Sequence, residues 1–264
     1  MGFSAFKILK EGLTGNRGWT PHWREPSLKK GYDVIVIGGG GHGLATAFYL
    51  AKEHGITNVA VLEKGWIGSG NIGRNTTIIR SNYMMPGNQP FYEFSMKLWE
   101  GLEQDFNYNA MVSQRGILNL SHSDGQHDAY ARRGNAMHLT NSGAVLLDRS
   151  GVERMCPFLN FENARFPIKG GIWQPRGGSV RHDAVAWGYA RGADLRGVDL
   201  IQNCEVTGFQ IENGRCLGVE TTLGPVKAKK VAMCVAGSSG ILANKAGMRL
   251  PIESHVLQAF VTEG

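Results

Sequence analysis

Five glycines crowd into six positions, Gly38, Gly39, Gly40, Gly41 and Gly43 around His42, immediately after the apolar run 34–37. Their spacing gives G-x-G-x-x-G at Gly38, Gly40 and Gly43, at the junction of an expected strand and an expected helix. Each glycine has a separate physical task. Gly38 permits a sharp turn, Gly40 lets main chain approach a pyrophosphate, and Gly43 lets the helix pack close against the strand. The free N–H groups at the helix start, including those of Gly41 and His42, then face an anion. A second apolar run, 58–62, ends in Glu63, 20 positions after Gly43. A carboxylate there accepts hydrogen bonds from a ribose hydroxyl, so the constellation reads as a dinucleotide site, with NAD and FAD both open.

Two further groups of residues have chemical potential. The stretch 65–80 is glycine-rich and polar in its first half, with Asn71, Arg74, Asn75 and Thr76, and closes on Arg80. Its glycines and amides suit a second phosphate-facing surface, and its second half is expected to start a helix. Arg74 and Arg80 at helical spacing could hold anions, although spacing alone favours an ordinary surface role for Arg80. Further on, Arg181-His182-Asp183 opens an expected helix. Read from the residues alone, His182 is a capping or surface histidine.

The elements that must position these residues alternate between strand and helix. The pattern predicts helix 42–54 closed by Gly55, helix 90–106 with Phe91, Phe94, Leu98 and Leu102 on its apolar side, and a strand within 111–121. It continues with helix 126–142 ended by Gly143, a short helix capped by Asp148, a strand over 168–174 and a helix from Asp183. Strands follow at 198–201, 205–211, 216–222 and 226–235, with Asn213-Gly214 as a hairpin turn. Gly237 lies in a second strand–glycine–helix turn, which suits another close approach of main chain to a cofactor. A last strand is expected over 252–261. The arm 1–31 combines basic residues with Trp19 and Trp23, which are expected to dock either on the chain's own core or on a partner subunit.

Whole-chain composition bounds the classes. The 264 residues carry a net charge of +6, with 19% charged residues and no dense basic block. That disfavours nucleic-acid binding and disorder. Cys156, Cys204, Cys216 and Cys234 are widely spaced, so free thiols are expected and a metal site is not. No run approaches the ~18 apolar residues of a membrane span. The sequence therefore reads as cytoplasmic.

Taken together, the fingerprint, the 65–83 loop, the strand pair near Val206 and the strand 231–237 come in the order of D-amino-acid-oxidase-type flavoproteins. Longer strings resemble the β subunits of heterotetrameric sarcosine oxidases: 38–47, Gly55 through Trp66, Arg74-Asn75-Thr76-Thr77-Ile78-Ile79-Arg80, Ser113 through Gly116, and 201–209. The resemblance implies an α/β fold, with a Rossmann-like FAD-binding domain and an inserted mixed β-sheet substrate domain. The implied organisation is an arm at 1–31, FAD-binding parts at 32–107 and 178–247, and substrate parts at 108–177 and 248–264. It also implies oxidation of sarcosine to glycine and a formaldehyde-level one-carbon unit, with electrons passing from FAD to FMN and then to oxygen as hydrogen peroxide. FAD contacts carried over are Gly38, Gly40, Gly41, His42, Gly43, Glu63, Lys64, Asn71, Arg74, Asn75, Thr76, Thr77, Ile78, Val206 and Gly237. The 68–74 loop lacks the histidine to which related dehydrogenases link FAD, so FAD is expected to be non-covalent. FMN is expected to be covalent on His182, with Arg181 beside it; the attachment needs a neutral imidazole nitrogen, which a helix N-terminus favours. Arg80 is the implied anchor of the substrate carboxylate, while Thr77 stands where monomeric relatives carry another arginine. Partners are α, γ and δ subunits, with NAD and tetrahydrofolate on a partner only. A family lysine and later glycine-rich flavin contacts fall beyond residue 264. The alternatives are another amine or amino-acid oxidase subunit of the same fold, or a non-catalytic flavin-binding or assembly subunit.

Overall fold

A computed structural model describes residues 4–83, 85 and 87–258. In chain order the elements are α1 (Ala5–Leu13), β1 (Gly31–Ile37), α2 (Gly41–His54), β2 (Val59–Leu62), a 3-10 turn (Asn71–Arg74) and β3 (Ile78–Ile79). Then come α3 (Gln89–Phe106), β4 (Ile117–Ser121), α4 (Asp124–Leu139), β5 (Val145–Asp148), α5 (Arg149–Met155), β6 (Gly170–Gln174), β7 (Gly178–Ser179) and α6 (His182–Asp194). The chain continues with β8 (Asp199–Ile201), β9 (Val206–Glu212), β10 (Arg215–Thr221), β11 (Val226–Met233), a 3-10 turn (Ala236–Ser238) and α7 (Ser239–Lys245). Two compact units result: Met1–Ser69 with Tyr189–Ser254, and Gly70–Gly188 with His255–Gly264.

The first unit holds a six-stranded sheet in the order β8-β2-β1-β11-β10-β9. β8, β2, β1 and β11 run parallel, and β10 and β9 join as an antiparallel hairpin. Parallel strands are buried on both faces and therefore read as continuous apolar runs; all four residues of β2 are buried. Ile35, Ile37, Leu62, Ile201, Val219 and Val226 form a core beneath the sheet. The β9–β10 turn has Asn213 at φ 50° and Gly214 at φ 73°, both in the left-handed region that a tight hairpin needs. Gly55, at φ 64°, closes α2.

The N-terminal arm is fastened to its own unit. Arg24 donates to Asp194 at 2.7 Å and Lys29 pairs with buried Asp199 at 2.6 Å, while Leu28 packs on the core. Trp19 and Trp23 are half-buried.

In the second unit β4, β6 and β5 form an antiparallel sheet, and β3 pairs with β7. Met137, Ala144 and Ile172 make one small core, and Val152, Phe161 and Ile168 a second. Asp148 caps α5 as the sequence suggests, its side chain accepting from Gly151 N at 2.7 Å.

Several expectations change. The stretch after Asn71 forms a single 3-10 turn and then β3, not a helix, because Thr77 sits at φ 62° and breaks helical continuity. On α3 the buried apolar residues are Met96, Leu102 and Phe106, whereas Phe91 and Phe94 are exposed. The strand within 111–121 begins only at Ile117, since Gly116 just before it has φ 86°. β5 and β7 went unanticipated, both being very short. Residues 252–258 form no strand, and 259–261 of that expectation lie outside the described residues. Along the sequence, the first passage between units falls at 69/70 and the return at 188/189. The sequence-derived boundaries were 107/108 and 177/178. α3 belongs to the second unit because Arg176 binds its Glu93 and Glu100, at 2.7 and 3.0 Å.

Candidate functional site

The glycine turn sits at the carboxyl end of β1, between the ends of β2 and β11. There the sheet order reverses direction, the place where sheets of this kind take their ligands. Gly38 has φ +105°, and a Cβ there would lie 2.4 Å from Cys234 O. A Cβ on Gly43 would lie 1.9 Å from Gly38 O, so the third glycine is fixed by contact between helix and turn. Gly39 is tight as well: its Cβ would meet Glu63 Cβ and Ile67 Cδ1, each at 2.9 Å. At Gly40 the situation reverses. A Cβ there meets nothing within 4 Å, and Gly40 caps α2 without any side-chain hydrogen bond. Protein packing demands glycine at 38, 39 and 43, whereas at 40 only an external group could demand it. An open glycine at the start of a helix leaves the helix N–H groups accessible to a phosphate-sized anion.

Glu63 is partly engaged. Oε2 accepts from Gly39 N at 2.7 Å and Oε1 from Gly65 N at 2.8 Å. Each oxygen keeps a further lone pair for a ribose hydroxyl, and the two amides fix its orientation. His42 and Lys64 are exposed beside the turn. Val206 buries its side chain in the core, so only its main chain is available to a ligand. Gly237 lies in the turn after β11, where its carbonyl accepts from Ser254 Oγ at 2.7 Å. Burial pushes the Cys234 thiol up.

The second unit places the other sequence-derived residues. Asn71 and Arg74 bound the 3-10 turn, and both are exposed, as are Asn75, Thr76 and Ile78. Asn75 organises this loop: Nδ2 donates to Ile72 O at 2.6 Å and Oδ1 accepts from Thr77 N at 2.7 Å. That brace holds Thr77 in a left-handed conformation costly for a β-branched residue. Thr77 O accepts from Val180 N at 2.9 Å, which ties the loop to the segment leading into α6. His182 begins that helix, and its Nδ1 is buried with no hydrogen-bond partner among the described residues. Arg181 is committed elsewhere: Nε and Nη2 donate to the two oxygens of Asp183 at 2.7 and 2.9 Å, which leaves little of it for an external anion. The Arg181 guanidinium in turn holds the Asp183 carboxyl below its usual range.

Arg80 is half-buried at the end of β3. Its Nη1 donates to Asn82 Oδ1 at 2.6 Å, and its guanidinium carbon lies 4.5 Å from the Tyr83 ring centroid. Tyr83 stacks on Tyr92 at 3.7 Å. Sequence reasoning missed the residues that shape this corner. Gln174, fully buried, accepts from Ser81 N at 3.1 Å and donates to Ser81 Oγ at 2.6 Å and to Ser142 O at 3.2 Å. Arg133 Nε donates to Asn82 O at 2.8 Å, and its Nη2 donates there as well. Nothing in local spacing links positions 82, 133 and 174; a polar glutamine inside an apolar strand was the only available hint.

No helix among the described residues is long and apolar enough to cross a membrane.

Comparison with known proteins agrees with this geometry. Residues 33–264 match the family model of FAD dependent oxidoreductases. The chain is 71% identical over 264 residues to sarcosine oxidase subunit beta of Rhizobium meliloti (strain 1021), covering all of this chain and 64% of that relative. It is 52% identical over 242 residues to sarcosine oxidase subunit beta of an Arthrobacter species, covering 91% of this chain and 60% of the relative. Among solved structures, L-proline dehydrogenase from P. horikoshii superposes with TM-score 0.78 at 27% identity, over 84% of this chain and 57% of that one. The chain thus spans less than two thirds of the length of these relatives.

Proposed function

Because the chain belongs to the family of FAD-dependent oxidoreductases, we propose that it serves in the β subunit of a heterotetrameric sarcosine oxidase. The carrying observation is the open helix start at Gly40, in a chain that aligns along its whole length with sarcosine oxidase β subunits. On this reading the α2 N-terminus holds the pyrophosphate of a non-covalent FAD, with Gly38, Gly40, Gly41, His42 and Gly43 contributing main chain. Glu63 receives a ribose hydroxyl, with Lys64 adjacent, and Val206 and Gly237 offer main-chain groups. The resemblance adds Asn71, Arg74, Asn75, Thr76, Thr77 and Ile78 as flavin contacts.

The substrate would be sarcosine, oriented by its carboxylate on Arg80. A guanidinium fixes a planar carboxylate through two parallel hydrogen bonds, and a fixed carboxylate presents the N-methyl group in one position. When bound, FAD would supply the hydride acceptor and a second flavin, FMN, a route for those electrons to oxygen, giving hydrogen peroxide. Loss of the methyl hydride turns sarcosine into an imine, which water hydrolyses to glycine and formaldehyde. His182 would carry FMN covalently. Its Nδ1, which has no hydrogen-bond partner among the described residues, supports that role.

The remaining parts of the reading extend the resemblance. The unit with the six-stranded sheet binds FAD, and the unit with β4, β6 and β5 serves the substrate. Partners are α, γ and δ subunits, tetrahydrofolate and NAD belong to a partner, and the complex is cytoplasmic. Anaerobic addition of sarcosine to the assembled full-length complex tests the central claim. Bleaching of the flavin absorbance is expected; retained FAD with no bleaching would reduce the subunit to flavin binding or assembly. For His182, flavin that stays with the denatured polypeptide, and is lost in His182→Ala, is the expected result.

A further inference from the structure

Among the described residues of the second unit, Arg80 and Arg133 are the half-buried arginines that form no ion pair. Arg80 and Arg133 are both fastened to Asn82, the first through its side-chain oxygen and the second through its main-chain carbonyl. Asn82 is itself fully buried, and its Nδ2 is anchored to Asn119 Oδ1 at 2.8 Å. No ion pair reaches either guanidinium among the described residues. The nearby acids are engaged: Glu93 and Glu100 both bind Arg176, and Glu93 also accepts from Ser81 Oγ. Burial and the neighbouring charge of Arg80 together lower the pKa of Arg133, so the two cations are close enough to oppose each other. Like charges held together in partial burial are unfavourable unless an anion sits between them.

Each guanidinium keeps donors for an anion. Arg80 has Nη1 on Asn82, and Arg133 has Nε and Nη2 there. That leaves Arg80 its Nε and Nη2 edge and Arg133 its Nη1 group. The stacked Tyr83 and Tyr92 rings form a flat wall beside Arg80. Guanidinium donors match carboxylate and phosphate oxygens alike, and the amino-acid-type substrate of the proposed function selects the carboxylate. We propose that Arg80 and Arg133 together form a receptor for one small carboxylate, with Arg133 the second residue that positions the substrate. This deepens the reading of the site as one for an amino-acid-type substrate and rests on it.

The experiment is a calorimetric titration of acetate into the full-length, flavin-loaded complex, compared with Arg80→Gln and Arg133→Gln. Glutamine at 133 keeps a donor for Asn82 O, so the fold has a substitute for the structural bond. Each variant is expected to weaken acetate binding tenfold to a hundredfold, the range for one hydrogen bond to a charged group. Neutral acetamide should bind equally to all three proteins. Arg133→Lys, which keeps the charge but loses the fork, should fall between wild type and Arg133→Gln. In turnover, Arg133→Gln should raise KM for sarcosine with kcat little changed, the signature of lost uniform binding. Wild-type acetate affinity in Arg133→Gln overturns the proposal, as does a wild-type complex that takes up inorganic phosphate but not acetate. If acetate binding needs both arginines yet sarcosine is not oxidised, the receptor stands and the functional reading falls.

Discussion

Gly40 and Gly43 make a matched pair in which one methyl group separates folding from ligand binding. In Gly43→Ala the added Cβ starts 1.9 Å from Gly38 O and 3.1 Å from Gly38 C, both main-chain atoms that no rotamer change can move. The turn and α2 must separate by about 1 Å to reach a tolerable contact. Overpacking of this kind costs about 2–3 kcal/mol, a fall in Tm of roughly 5–10 °C for a chain of this size. In Gly40→Ala the new methyl meets nothing within 4 Å, so the apo protein should lose no more than the N-cap preference of glycine over alanine, about 1 kcal/mol. On the proposed reading, the same methyl would stand between the main chain and the pyrophosphate. Losing one hydrogen bond to a charged group costs about 1.5–3 kcal/mol, or about ten- to a hundredfold in the Kd for FAD. Thermal unfolding of apo protein, paired with quenching of flavin fluorescence on titration, reads both quantities. The reasoning fails if Gly40→Ala binds FAD like wild type, or if Gly43→Ala is as stable as wild type.

Two other perturbations probe the scaffold. Tyr32 is buried against Asp199, which lies 3.2 Å from its hydroxyl, and its pKa is pushed up to about 12, mainly by burial. Its folded value exceeds the unfolded one, so its contribution is complete below pH 10 and drains away between pH 10 and 12. Denaturant titrations across that range should show wild type losing up to about 2–3 kcal/mol more than Tyr32→Phe; parallel curves would contradict this. Gln174→Ala leaves Ser81 N and Ser142 O buried without their partner, and should cost about 3 kcal/mol by urea unfolding. A loss below ~0.5 kcal/mol, within the range of ordinary surface changes, would mean that water replaces the amide.

The sequence alone determined what depends on short-range covalent pattern. The glycine turn, Glu63 at the end of β2, the Asn213-Gly214 hairpin, the Gly55 stop and the Asp148 cap all depend on a few adjacent residues, so their types and spacing suffice. Tertiary structure decided what depends on distant chain segments meeting. It separated Gly40, which faces open space, from Gly38, Gly39 and Gly43, which packing demands, a distinction invisible in a row of identical residues. It bent the segment after Asn71 away from helix at Thr77, turned Phe91 and Phe94 outward, and committed Arg181 to Asp183. It also brought Arg133 to Arg80 across 53 positions by fastening both to Asn82. No local period encodes that meeting, because it exists only once β3 and α4 have packed into the same unit.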